Sequence, residues 1–126
     1  MRVVDTSAWL EWLSDTALGR KVGSELPEGP EWIVPTIVQF ELSRCLTRAV
    51  SEEAADQTIA FSTQCVVIPL DTRVAVRAAQ LAKDHSLPMA DAIIYATAVE
   101  KDADVLTCDA HFADLPRVAY FAKGPR

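Results

Sequence analysis

Four acidic side chains lie far apart in a 126-residue chain, yet each stands where an α/β domain would gather it: Asp5, Glu41, Asp91 and Asp109. Asp5 closes the β-branched run RVVD (2–5) and Asp109 closes DVLTCD (104–109), so both fall at the ends of expected strands. Asp91 is the one charge in LPMADAIIYATAV (87–99), a stretch without a polar face that reads as a buried helix. A carboxylate in its first turn must be paired, protonated or bound to a cation. Glu41 falls in the second turn of a helix that opens near Thr36, at helical spacing from Ile37 and Cys45. Carboxylates brought into one cleft repel and protonate unless a cation offsets them. No lysine or arginine stands at the matching strand ends, although Arg44 lies one turn beyond Glu41. Hard oxygen donors without Cys or His partners select Mg²⁺ or Mn²⁺ over zinc. Such ions lower the pKa of a bound water and steady an in-line phosphoryl transition state, which is the chemistry of phosphodiester hydrolysis.

Taken singly, each acid has a plainer use. Asp5 could cap the following helix, Asp91 could complement a helix dipole, Asp109 could be a turn residue, and Glu41 could be solvated. The set is what argues for a site. Other conspicuous residues read as structural. Trp9, Trp12 and Trp32 could stack RNA bases, but their strand and helix positions favour packing. Arg44 and Arg48, one helical turn apart, could track phosphates or form a solvated face. His85 suits the negative end of a helix, and Asp114 suits the turn before Pro116.

These acids need a scaffold, and the hydrophobic pattern supplies one. Strands are expected at 2–5, 32–35 (WIVP), 66–70 (VVIPL), 104–109 and 117–122 (RVAYFA), with helices at 6–14, 16–26, 37–49, from Ser51, from Thr72 and over 87–99. The turn PEGPE (27–31) ends the second helix, Thr36 and Gln39 have capping-box spacing, and SLP (86–88) punctuates before the opening stretch. Strands alternating with helices imply a mostly parallel sheet with right-handed crossovers, whose ligands bind beyond the carboxyl ends of the strands.

Length fits a single domain over 1–126. Half the residues are hydrophobic, but the apolar runs are short, so no membrane span is expected. No secretory leader is expected from MRVVDTSAWL, and three cysteines without paired spacing point to free thiols in a reducing cytoplasm. A net charge of −6 opposes direct nucleic-acid binding unless bound cations reverse the local sign, and it suits a basic protein partner.

VVDTSAWLEWL at the start, Glu41 within VQFELSRCL, LPMADAIIYATA and ADVLTCDAHF together resemble a PIN-domain nuclease, with the nearest likeness to the virulence-associated protein C family of type II toxin–antitoxin ribonucleases. The resemblance spans almost the whole chain. It implies a three-layer α/β/α domain, Mg²⁺- or Mn²⁺-dependent endoribonuclease activity through metal-activated water, an RNA substrate, a cognate antitoxin and a homodimer. Carried over, Asp5, Glu41, Asp91 and Asp109 match the acidic quartet, with Asp5 and Asp91 as direct metal ligands and Glu41 and Asp109 completing the site. Thr6 and Ser7 match hydroxyls that would hold Asp5 or a metal water, and Thr107 would serve Asp109 in the same way. Relatives often carry another acid two residues after the fourth; here that place is His111, where a phosphate contact is one use. The alternative is a non-catalytic PIN-fold module that binds RNA or protein. A receiver-type phosphoryl acceptor would want paired acids near the first strand and a late lysine at a strand end, and Lys123 is poorly placed for that. No serine stands in a nucleophile-elbow glycine pattern, which sets aside a serine hydrolase.

Overall fold

The computed structural model describes residues 1–124. Five parallel strands form one sheet: β1 (Arg2–Val4), β2 (Trp32–Pro35), β3 (Val66–Ile68), β4 (Asp104–Thr107) and β5 (Val118–Tyr120), in the order β3-β2-β1-β4-β5. Val3 is in register with Ile33 on one side and Val105 on the other. A strand covered on both faces needs apolar residues in a run rather than in alternation. Accordingly Val3, Val4, Ile33, Val34, Val105 and Leu106 are all fully buried. The helices α1 (Thr6–Leu13), α2 (Ala17–Gly23), α3 (Thr36–Ala49), α4 (Glu52–Ser62), α5 (Thr72–His85) and α6 (Met89–Glu100) flank the sheet in an α/β/α arrangement. The expected fold class is borne out.

The helix starts follow local chemistry. Ser51 accepts from the Ala54 N–H at 3.0 Å to open α4, and Asp71 accepts from Val74 at 2.9 Å to open α5. The capping box expected at Thr36 does not form. Pro35 already occupies the cap position with extended backbone, and Thr36 becomes the first helical residue. Its hydroxyl instead accepts from the Leu70 N–H at 3.2 Å, while the Gln39 amide donates to Ser62 Oγ at 3.0 Å. Tertiary partners took both side chains. Helix α2 also stops at Gly23, earlier than expected, and β3 ends at Ile68.

Two features fix the segments around the acids. Ser86 adopts a left-handed conformation (φ 54°) that ends α5, and Pro88 then caps α6 with extended backbone, so the second helix restarts within a few residues. Helix α6 is buried on nearly all sides, as its composition requires: Ala92, Ile94, Tyr95, Ala96 and Ala98 lie in the core. After β4, a 3-10 turn over Ala110–Phe112 carries the chain toward β5. Phe112 is fully buried, and the Tyr95 hydroxyl donates to the Pro116 carbonyl at 2.8 Å, pinning this return to α6.

The tryptophans pack as expected. Trp9 and Trp32 lie in the core with ring centroids 4.7 Å apart, and Trp12 and Phe61 close the cluster edge-on. Cys45, Cys65 and Cys108 are free thiols, and no helix among the described residues is long and apolar enough to cross a membrane.

Candidate metal centre

In the strand order, the chain leaves β1 toward β2 on one side and later returns through β4 on the other. The crevice beyond the carboxyl ends of β1 and β4 is therefore the topological switch point, where open α/β sheets bind ligands. Asp5 follows β1 and is hydrogen-bonded through its N–H to the Leu106 carbonyl at 2.9 Å. It occupies the cap position of α1, yet its carboxylate makes no cap bond. Two hydroxyls take it instead: Ser7 donates to Asp5 Oδ2 at 2.6 Å and Thr107 donates to the same oxygen at 2.8 Å.

The hydroxyls work as relays. Ser7 Oγ also accepts from the Cys108 N–H at 2.9 Å, and Thr107 Oγ1 accepts from the Asp109 N–H at 2.9 Å. Backbone donors released at the end of β4 are thus satisfied by side chains that in turn orient Asp5. Thr6 points elsewhere. It donates to Glu41 Oε1 at 2.7 Å and so ties the start of α1 to the second turn of α3, rather than holding Asp5. Thr107 likewise serves the Asp109 backbone and the Asp5 carboxylate, not the Asp109 carboxylate.

Asp109 opens the 3-10 turn by accepting from the His111 N–H at 2.9 Å. That turn swings the His111 ring back, so that its Nδ1 lies 2.9 Å from Asp109 Oδ1 and 3.0 Å from Asp91 Oδ2. Asp91 in the first turn of α6 and Asp109 after β4 are thereby brought together around one imidazole nitrogen. His111 is the member of this group that sequence reasoning weighed only as a phosphate contact. Its signal was the two-residue spacing from Asp109, which becomes a contact only in a 3-10 turn.

The electrostatics follow from burial. Asp5 is 3% exposed, and burial together with the charge of Asp109 raises its pKa, while the Ser7 and Thr107 hydroxyls pull it back. Asp91 is pushed up to about 7, first by burial and then by the negative charges of Asp109 and Asp5; His111 opposes the shift. Among the described residues, no lysine or arginine forms an ion pair with Asp5, Glu41, Asp91 or Asp109. Ligand atoms of Asp91, Asp109 and His111 all lie within 4.8 Å of one another. An oxygen-rich donor set that raises its own pKa values fits a hard divalent cation, whose charge would restore the ionised forms.

Asp114 is exposed on the turn before Pro116, and His85 ends α5 with its ring edge-on to Tyr95. Arg44 and Arg48 lie on the exposed side of α3, with the Arg44 guanidinium over the Phe40 ring at 5.6 Å.

Several solved structures share this fold. A toxin–antitoxin complex from Klebsiella pneumoniae is 22% identical with a TM-score of 0.80, over 94% of this chain and 96% of that one. Mycobacterium tuberculosis VapC20, described as a sarcin–ricin loop cleaving toxin, is 22% identical with a TM-score of 0.76, over 94% and 97%. The DNA-bound VapBC of Salmonella typhimurium is 17% identical with a TM-score of 0.70, over 96% of each chain. At these identities the likeness shows the fold. Among curated proteins, none matches this chain significantly. The family model for the PIN domain matches residues 2–118, a span that holds β1 to β4 and all four acids, and the chain belongs to the PIN domain family.

Proposed function

We propose that this chain is a Mg²⁺- or Mn²⁺-dependent endoribonuclease that serves as the toxin of a type II toxin–antitoxin pair. The observation that carries this reading is the convergence of acids at the switch point, with no lysine or arginine paired to them among the described residues; burial and then these charges raise Asp91 to about 7. The solved toxin complexes of the same fold and the RNA-cleaving description of VapC20 support it.

In this reading Asp5 and Asp91 hold the ion, and Glu41 and Asp109 complete its surroundings directly or through water. The bound cation supplies Lewis-acid stabilisation of the phosphate and a more acidic water. Ser7 and Thr107 fix which Asp5 oxygen is occupied by hydroxyls, so the carboxylate cannot rotate. Thr6 does the same for Glu41. Asp91 would hold a cation only in its ionised form, which burial first and then the charges of Asp109 and Asp5 disfavour, so binding would release its proton. A cognate antitoxin, a homodimer and a cytoplasmic setting belong to the same reading, and the acidic net charge of −6 suits a partner that presents a basic side chain to the cleft.

The deciding experiment is cleavage of a mixed structured RNA pool with Mg²⁺, with Mn²⁺ and with chelator, alongside Asp91→Asn. Metal-dependent cutting that falls at least about a hundredfold in the variant is expected. Full activity in Asp91→Asn would sink the site assignment. Metal binding with no cutting of any RNA would favour the non-catalytic PIN-fold module.

A further inference from the structure

His111 places one ring nitrogen between two carboxylates, and the ligand atoms of Asp91, Asp109 and His111 all lie within 4.8 Å of one another. Its Nδ1 lies at almost equal distance from two carboxylate oxygens on different elements, 2.9 Å from Asp109 Oδ1 and 3.0 Å from Asp91 Oδ2. A single N–H can serve both oxygens only as a shared, bent hydrogen bond. Neighbouring donor atoms on an octahedral ion with bonds of about 2.1 Å are separated by about 3 Å, because the edge of the octahedron is longer than the bond by the square root of two. Both Nδ1 distances match that edge. The ring is also anchored from behind: the His111 N–H is bound to Asp109 Oδ1 at 2.9 Å, and the next residue, Phe112, is fully buried. The imidazole is thus presented to the carboxylates by backbone that cannot easily retreat.

Resting on the metal-dependent reading above, we infer that His111 is itself a metal ligand through Nδ1, and that this nitrogen tilts the centre toward Mn²⁺ and away from Mg²⁺. Coordination uses the Nδ1 lone pair, so the bound imidazole carries its one proton on Nε2. Mg²⁺ favours oxygen donors and retains its waters, whereas imidazole suits transition-metal ions. Replacing one oxygen donor by nitrogen therefore changes which divalent ion wins more than how tightly ions bind in general.

The test uses the full chain labelled with ¹⁵N-histidine and loaded with Mn²⁺ alone, with nitrogen coupling to the ion read by electron spin-echo modulation. The sequence contains only two histidines, His85 and His111, which makes assignment direct. Coupling is expected in the unaltered chain and in His85→Gln, and is lost in His111→Asp. Competition calorimetry should show the Mn²⁺-over-Mg²⁺ affinity ratio falling on the order of tenfold in His111→Asp. Bound Mn²⁺ without nitrogen coupling overturns this inference and leaves the metal reading intact. Coupling with an unchanged affinity ratio overturns the selectivity. An unaltered chain that binds no Mn²⁺ overturns both the inference and the reading beneath it.

Discussion

Asp91 carries the clearest thermodynamic consequence of any single side chain. Its folded pKa of about 7 lies above the ordinary value of 3.8, so between those limits the folded chain holds a proton that the unfolded chain has released. Without metal, its stabilising contribution is complete below about pH 4 and is lost as pH rises through about 7. Urea melts of metal-free Asp91→Asn against the unaltered chain should show a gain that grows from pH 4 to pH 8, reaching on the order of 1 kcal/mol. Added Mn²⁺ should remove much of that difference by stabilising only the unaltered chain. Thr107 makes a second prediction at this scale. Fully buried, it donates to Asp5 and accepts from the Asp109 N–H, so Thr107→Val leaves two polar groups short of partners. A loss of about 1–3 kcal/mol is expected by denaturant titration, with Thr107→Ser recovering most of it.

Among the elements, the α1–α2 corner has the least room. A Cβ at Gly19 would fall inside contact distance of the Glu11 carbonyl oxygen and 2.6 Å from that of Ser14, and both are backbone atoms. Gly19→Ala must push α2 off α1, and should cost about 1–3 kcal/mol in chemical unfolding, an overpacking penalty. Elements were also where the sequence was most legible. Alternating apolar strands and helices yielded every strand of the sheet, and the absence of a polar face on α6 foretold its burial. The start of α3 was misread for a physical reason: Thr36 and Gln39 had the spacing of a local cap, but Leu70 and Ser62, distant in sequence, claimed both side chains. His111 escaped for the complementary reason. Nothing in DAHF announces a 3-10 turn, and without that turn the imidazole has no path back to Asp91.

For the whole molecule, the net charge of −6 means that RNA affinity cannot come from a generally basic surface. On the metal-dependent reading, fluorescence anisotropy of a labelled structured RNA should therefore lose at least about tenfold in affinity when chelator replaces Mn²⁺, since the cation would supply the positive field at the cleft. A chelator-insensitive affinity would mean that phosphates are held elsewhere. That the acids would face one another was legible because Asp5 and Asp109 close strands while Asp91 and Glu41 stand in the first two turns of their helices. The Ser7 bond to Asp5 was expected from the family resemblance, but the second hydroxyl on the same oxygen, from Thr107, was not, because Ser7 and Thr107 meet only after β1 and β4 pair across about a hundred residues of chain. That pairing also sets a clock. Thr107, which orients Asp5, and Asp109, which faces it, emerge about a hundred residues after it during synthesis. Until β4 arrives β1 has a neighbour on one side only, so on the nuclease reading no competent centre exists before that strand has docked. On the same reading, a restraining partner is needed only from that moment on.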